Sequence, residues 1–242
     1  MSVKGRMIRL AKKWVAESHF PPELLRELRV ELLLLLVRWV DRLSPKARVK
    51  RAELSKLRHV KLHLGCGPKI FEDWVNIDGF RFGRLDYQMD LRCRLPFSDD
   101  STAMIFSDHL FEHLHHEKDV PFILKEFFRI LEPGGWVRIL TPSLEKYCTA
   151  YVSGDSKWFA TVNPNQSPGC CAINNIFMNY FHKFIYDFGE LSKCLSEAGF
   201  VNVKRMGFGE SSIPELAMDN HQEERIAESI CVEAQKPLLP VN

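Results

Sequence analysis

The chain has 242 residues, enough to bury the core of one large domain or of a domain with an extension. Its composition, with 45% hydrophobic and 26% charged residues, is ordinary for a globular protein, and no segment approaches the roughly 20 apolar residues that cross a bilayer. Seven cysteines without a CxxC pair exclude a disulfide framework and a zinc knuckle, and no signal-peptide core is visible. These features predict a cytoplasmic protein.

Charge divides the chain after Arg58. Residues 1–58 carry 15 Lys and Arg against 6 Asp and Glu, a net charge of +9, whereas the remainder carries 18 against 25, a net charge of −7. We therefore predict a basic helical extension over residues 1–58 and one catalytic domain over residues 59–242. Within the extension, residues 6–15 predict a basic amphipathic helix. Its apolar face is formed by Met7, Ala11, Trp14 and Val15, and its basic face by Arg6, Arg9, Lys12 and Lys13.

The segment "PPELLRELRVELLLLLVRWVDRL" predicts a long helix that begins behind two prolines. Helical spacing gathers one apolar stripe, formed by Leu25, Leu28, Leu32, Leu35, Trp39 and Leu43. Such a stripe packs on the catalytic body or on a second subunit, or lies peripherally on the inner face of a membrane, and the sequence leaves these alternatives open. Nucleic acid is not expected, because aromatic residues do not alternate with the basic ones.

From residue 59 onward, short apolar runs alternate with helical segments. "HVKLHLG", "WVNID", "AMIFSD" and "WVRILTP" predict buried parallel strands, and "VNVKRMGF" with "ESICVEAQK" predicts a closing antiparallel pair. The pattern predicts an α/β, Rossmann-like, doubly wound sheet with mostly parallel strands and an antiparallel C-terminal strand. The turn-rich insertion at residues 161–175 is a candidate lid.

The stretch "HLGCGPKIFEDWVNID" predicts a strand, a glycine turn and a second strand that ends at an acid. A dinucleotide fold requires GxGxxG and an acid about 20 residues later, but Gly65 and Gly67 have no third partner here. Asp78 also follows Gly67 by only 11 residues. The spacing suits a ligand without phosphate, whose ribose hydroxyls bind Asp78 and whose amino-acid part crosses the turn. S-adenosylmethionine (SAM) is such a ligand.

Four blocks in order resemble the class I SAM-dependent methyltransferases, and in particular a small bacterial branch often associated with glycan or small-molecule methylation. These blocks are "LHLGCGP", "WVNID", "MDLRCRLPFSDDSTAMIFSDHLFEHL" and "ILEPGGWVRILTP". The resemblance implies SAM as cofactor, with S-adenosylhomocysteine as product. The cofactor residues that it implies are Gly65, Cys66, Gly67, Asp78, Gly79, Asp90, Leu91, Asp108 and His109. Two departures are His63, where the family usually has an acid, and a helix after the glycines that is cut to a turn or two.

Transfer of a methyl group to a hydroxyl requires a base, and the aromatic segment "NNIFMNYFHKFIYDFGEL" offers His182, with His113 as second choice. An unperturbed imidazole titrates near pH 6.5 and would be neutral in the cytosol. Tyr180 and Tyr186 are candidate substrate residues, as is Glu210 with the two serines that follow it. The predicted acceptor is a sugar hydroxyl of a glycan or glycolipid precursor, or a small metabolite.

Two alternatives remain open. The first is a methyltransferase-fold scaffold without activity, which the two departures motivate. The second is a metal-dependent hydrolase, because "HLFEH" at residues 109–113 fits the HxxEH zinc pattern. That pattern needs one continuous helix, whereas the strand predicted up to residue 108 places His109 at a strand exit, so no metal is expected.

Overall fold

The computed structural model describes residues 22–165, 169–178, 180–219 and 222–238. Its helices are α1 (Pro22–Leu43), α2 (Pro45–Leu54), α3 (Asp119–Ile130), α4 (Leu144–Ser153), α5 (Ser156–Val162), α6 (Gly169–Met178), α7 (Phe188–Glu197) and α8 (Glu223–Glu228). Its strands are β1 (Val60–Leu64), β2 (Val75–Asp78), β3 (Tyr87–Gln88), β4 (Thr102–Asp108), β5 (Leu131–Pro142), β6 (Val201–Met206) and β7 (Ser229–Gln235). The predicted basic amphipathic helix within residues 1–21 lies outside the described residues, and the domain boundary after Arg58 stays a prediction.

The seven strands form one sheet in the order β3-β2-β1-β4-β5-β7-β6. Neighbours from β3 to β5 pair in parallel, while β7 runs antiparallel between β5 and β6. The carboxyl ends of β1, β2 and β4 meet at one edge, beside the point where the strand order reverses, which is where doubly wound sheets bind ligands. The predicted fold class is confirmed.

The two faces of this sheet are covered differently. Helices α3 and α7 pack on one face and contribute to the main hydrophobic core. On the opposite face, Phe106 of β4 packs against Phe71 and Trp74, which lie between β1 and β2, and against Leu216 of the loop after β6. Irregular chain therefore covers this face between β1 and β2, where the sequence predicted a helix cut to a turn or two.

A buried arginine fixes the loop that follows β6. Arg138 of β5 is fully buried and donates to the carboxylates of Asp219 and Glu233. It also donates to the carbonyl oxygens of Gly207 and Glu210, at 3.2 and 2.8 Å. Because a buried charge is tolerated only when it is paired, this network holds the loop firmly on the sheet.

Helix α1 lies with its charged side toward the sheet and its leucine stripe outward. Leu34 is buried between the helix and the catalytic body, at 8% exposure. The predicted stripe is largely solvent-accessible: Leu25 36%, Leu28 52%, Leu32 52%, Leu35 45%, Trp39 60% and Leu43 70%. The interpretation of this stripe as a surface packed on the catalytic body is therefore wrong. Within the described ranges, no helix is both long and apolar enough to cross a membrane.

The insertion at residues 161–175 is more ordered than its composition indicates. Helix α5 ends at Val162, and helix α6 begins at Gly169. Together with α4 these helices form a small separate core of Tyr147, Ala150, Phe159, Ala172 and Ile176. A lid role for this segment stays a prediction.

Candidate active site

The turn after β1 exposes bare backbone. Gly65 and Gly67 have φ angles of 71° and 54°, in the left-handed region that favours glycine. A Cβ atom on Gly65 would lie 2.9 Å from the Cβ of Leu110, whereas a Cβ on Gly67 would meet nothing within 4 Å. The space beside Gly67 is therefore open to a ligand, and the turn is fixed because the Gly65 N–H donates to the Ile77 carbonyl at 2.9 Å.

The helix after these glycines, predicted to be cut to a turn or two, is replaced by hydrogen-bonded turns. The carboxamide of Asn76 accepts from the Phe71 N–H at 3.0 Å and donates to the carbonyls of Phe71 and Trp74 at 2.9 Å. Bonds of this kind compete with helical hydrogen bonding, and burial of both aromatic rings against the sheet holds the extended path. The turn therefore has no helix N-terminus behind it, and the N–H groups of Gly65, Cys66 and Gly67 bind within the protein.

Asp78 lies at the end of β2 and joins the turn to the neighbouring strand. One carboxylate oxygen accepts from the Gly67 N–H at 2.9 Å and the other from the Phe80 N–H at 2.7 Å. Burial raises the pKa of Asp78, while these backbone hydrogen bonds oppose the rise. Each carboxylate oxygen can accept a second hydrogen bond, so the residue that shapes the turn can also hold a ribose.

Helix α1 closes the side where adenine was expected. The Asp90 carboxylate is engaged by Arg38 of α1 at 2.7 Å and by Arg92 at 3.0 Å. Burial would raise the pKa of Asp90, but the hydrogen bonds and charges of these arginines lower it. A Cβ atom on Gly79 would lie 2.8 Å from a methyl carbon of Leu34. Asp90 therefore anchors α1, and its contact with adenine stays a prediction.

Three further predicted cofactor residues lie near this edge. Leu91 is buried in the main core. Cys66 is 4% exposed, and burial raises the pKa of its thiol to about 12, so it contributes shape rather than a thiolate. Asp108 ends β4, with its carboxylate 4.0 Å from the ring of His109. Their roles toward the cofactor stay predictions.

A cavity of about 840 Å³ opens next to these groups. Its lining brings together the predicted residues His109, His113, Tyr180 and His182, and Glu112 of the HxxEH motif, with residues that the sequence did not single out: Val162, Gln222, Glu223, Glu224, Arg225 and Glu228. Leu110, between the cavity residues His109 and Glu112, lies against Gly65, which places this cavity beside the proposed SAM turn. The HxxEH motif at residues 109–113 marks one part of the lining, but the rest comes from distant parts of the chain that no local motif connects with it.

Glu112 is a fully buried carboxylate at this cavity. One oxygen lies 2.9 Å from Nδ1 of His109, and the other accepts from the Thr141 hydroxyl at 3.1 Å. Burial would raise the pKa of Glu112, but the charge and hydrogen bond of His109, with His113 and His182 nearby, lower it to about 2. The site therefore contains a permanent negative charge surrounded by histidines.

His182 faces that charge. Its Nε2 lies 4.0 Å from Glu112, its ring meets that of His113 edge-on at 4.9 Å, and it stacks on Tyr180 at 5.8 Å. Within the described part of the chain, its buried Nδ1 has no hydrogen-bond partner. Burial lowers the pKa of His182 to about 4, although the negative charge of Glu112 raises it. The prediction of an unperturbed imidazole, with a pKa near 6.5, is therefore wrong. The imidazole is therefore neutral at pH 7.

The HxxEH residues do not occupy the continuous helix that this zinc pattern requires. His109 has a φ of 55°, and residues Phe111–His113 form a single 3-10 turn, so the motif does not occupy one continuous helix. His109 is held instead between Glu112 and the Ser229 hydroxyl, which lies 2.8 Å from Nε2. Among the described residues, two groups have donor atoms close enough together for a cation: Glu112, His113 and His182 at this cavity, and His116, Glu190 and Cys194.

Two predicted substrate residues lie elsewhere. Tyr186 is fully buried, with its hydroxyl 3.3 Å from His116, because its ring belongs to the main core. Glu210 is held on the far face of the sheet through its carbonyl bond with Arg138, while Ser211 and Ser212 both donate to Glu233. None of these residues lines the cavity.

Residues 78–139 match the model of a family described as a methyltransferase domain. Among solved structures, the chain is similar to a SAM dependent methyltransferase from Archaeoglobus fulgidus, at 17% identity and a TM-score of 0.49, over 79% of this chain and 92% of that chain. It is also similar to a SAM-dependent methyltransferase from Thermotoga maritima, at 14% identity and a TM-score of 0.48, over 96% and 97% of the two chains. No curated protein matches the chain.

The matched segment begins at Asp78, the acid that holds the glycine turn, and runs through β4 and the cavity residues His109, Glu112 and His113 into β5. The open space beside Gly67, with a carboxylate next to it, fits the amino-acid and ribose parts of SAM. Residues 78–139 are therefore similar to a methyltransferase domain, within the doubly wound sheet that the sequence predicted.

Proposed function

We propose that the chain is a SAM-dependent methyltransferase of class I, which transfers a methyl group to a hydroxyl of an uncharged, hydroxyl-rich acceptor, with His182 as the proton acceptor. A sugar hydroxyl of a glycan or glycolipid precursor fits this description, as does a small polyol metabolite. The observation that carries the proposal is the position of neutral His182 beside buried Glu112, in the cavity that adjoins the Asp78 turn.

The lining of the cavity supports an acceptor without negative charge. It contains four glutamates and a single arginine, Arg225, whose guanidinium lies 3.2 Å from Glu228. Repulsion by these carboxylates disfavours phosphorylated and carboxylated acceptors. Tyrosine, histidine, carboxamide and carboxylate groups supply the many donors and acceptors that a polyol requires, and a cavity of about 840 Å³ is large enough for a sugar unit.

Proton transfer follows from the histidine and carboxylate geometry. SAM supplies a methyl group on a positively charged sulfur when it is bound. His182, neutral before the reaction, takes the hydroxyl proton and becomes a cation. Glu112 then stabilises that cation across the 4.0 Å that separates Oε1 from Nε2, inside a buried site where such attraction is strong. His109, held by Ser229, keeps the Glu112 carboxylate in position.

Two variants test the roles in this mechanism. His182→Gln keeps the size and hydrogen bonding of the side chain, so we expect unchanged SAM affinity and melting temperature with a turnover lower by about 10² to 10⁴. Glu112→Gln should lower turnover as well, because the developing cation loses its counter-charge. Turnover is measured as S-adenosylhomocysteine released over a panel of neutral polyols, glycans and glycolipids.

His115→Gln is the matched control, because His115 does not line the cavity. Turnover of His182→Gln within about threefold of the parent would contradict the proposed base. SAM binding without turnover on any acceptor would favour the inactive scaffold. Hydrolytic activity that is lost with a chelator would favour the metal-dependent hydrolase.

A further inference from the structure

Helix α1 turns its charged face toward the catalytic body, whereas a helix that packs on a core turns its apolar face inward. Its acidic Glu31 and Asp41 face inward, where Glu31 meets Arg92 of the catalytic body at 2.7 Å, and Asp41 accepts from the Tyr87 hydroxyl of β3 and pairs with Arg51 of α2. Arg38 pairs on the same side with Asp90. The helix is therefore attached through its charged face, which leaves its apolar face without a covering element among the described residues.

The apolar face is large and continuous. Ten exposed apolar side chains share it: Leu24, Leu25, Leu28, Leu32, Leu33, Leu35, Leu36, Trp39, Val40 and Leu43. The helix has 22 residues and is thus about 33 Å long. Monomeric proteins rarely expose so continuous an apolar surface, so a partner is expected to cover it.

Charge indicates which partner covers this face. Arg29 and Arg42 are exposed on the same helix, and Lys46 and Arg48 follow on α2. The sequence before residue 22 adds Lys4, Arg6, Arg9, Lys12 and Lys13 against Glu17 alone. A second copy of the chain would bring two extensions of net charge +9 together, whereas an anionic lipid surface satisfies both the leucines and the positive charge.

We propose that the leucine face of α1 docks the enzyme, as a helix lying in the interface plane, on a membrane that contains anionic lipid. The geometry also connects docking to the active site. The guanidinium of Arg26 lies 3.8 Å above the ring of Phe181, the residue before His182. The docked helix therefore places the cavity wall close to the lipid surface. Access to a glycolipid acceptor is the one consequence that rests on the proposed function.

The test measures vesicle binding by the full chain, independently of turnover. We expect binding to phosphatidylcholine vesicles that contain phosphatidylglycerol, weaker binding to phosphatidylcholine alone, and a loss of affinity with added salt. The combined variant Leu28→Gln, Leu32→Gln and Leu36→Gln should lower the vesicle partition coefficient at least about tenfold, because each leucine loses its apolar transfer. Its SAM affinity should be unchanged, since none of the three leucines contacts the site.

Tyr151→Gln with Val152→Gln is the matched control, because these α4 side chains are 54% and 85% exposed outside α1 and should not affect binding. Absence of vesicle binding by the parent would overturn the proposal, as would equal binding by the leucine variant. A parent dimer that the leucine variant converts to a monomer, without vesicle binding, would assign the face to a second copy. Binding that survives in the leucine variant but disappears without residues 1–21 would assign docking to that segment.

Discussion

Helices α1 and α3 each have an apolar and a charged face, but they turn opposite faces toward the catalytic body. In α3, the apolar stripe of Val120, Ile123, Leu124, Phe127 and Ile130 is fully buried against the sheet. In α1, the apolar stripe is exposed and the charged stripe is attached to the body. The difference teaches that periodicity predicts a helix with two unlike faces, whereas the surface opposite the helix decides which face is covered.

The largest effect that separates these helices is the cost of truncating their apolar side chains. Phe127→Ala should lower the free energy of unfolding by about 3 to 5 kcal/mol, because it opens a cavity in the core. Leu32→Ala, at a position 52% exposed, should change it by less than about 0.5 kcal/mol. Urea unfolding of both variants measures the difference, and equal losses would mean that the leucine face is covered within the monomer.

As the pH falls, the catalytic body should lose stability before the ion pairs that attach α1 are lost. Burial lowers the pKa of His63 to about 4 from an ordinary value of about 6.5, so the unfolded state binds its proton first. The stability from neutral His63 is complete above about pH 6.5 and falls by about 3 kcal/mol as the pH approaches 4.

The Asp90 anchor behaves differently, since its lowered pKa keeps the carboxylate ionised until the pH falls below its ordinary range. Urea unfolding from pH 7 to 4.5 measures the loss of body stability, and amide exchange in α1 at the same pH values reports on the anchor. His63→Gln should flatten the unfolding profile. A flat profile in the parent, or exchange in α1 that rises before body stability falls, would contradict this order.

The strands of the sheet and the glycine turn could be predicted from the sequence alone. Short apolar runs predicted the strands because both faces of a parallel sheet are buried, and positive φ angles at Gly65 and Gly67 confirm the predicted turn. The cavity was only partly predictable. Glu112, His182 and Arg225 are far apart in the chain and meet only through the topology of the sheet. The ion pair of Asp90 with Arg38 could not be predicted either, because the two residues lie 52 positions apart in the chain.

The central claim is that the turn and Asp78 hold SAM, and calorimetric titration of SAM into the parent and Asp78→Ala tests it most directly. The variant loses the acceptor for the Gly67 N–H and the proposed ribose contact. We predict that its SAM affinity falls by about 30- to 150-fold, or about 2 to 3 kcal/mol, while Glu72→Ala, an exposed acid nearby, binds like the parent and NAD binds to neither. Unchanged SAM affinity in Asp78→Ala would contradict the account.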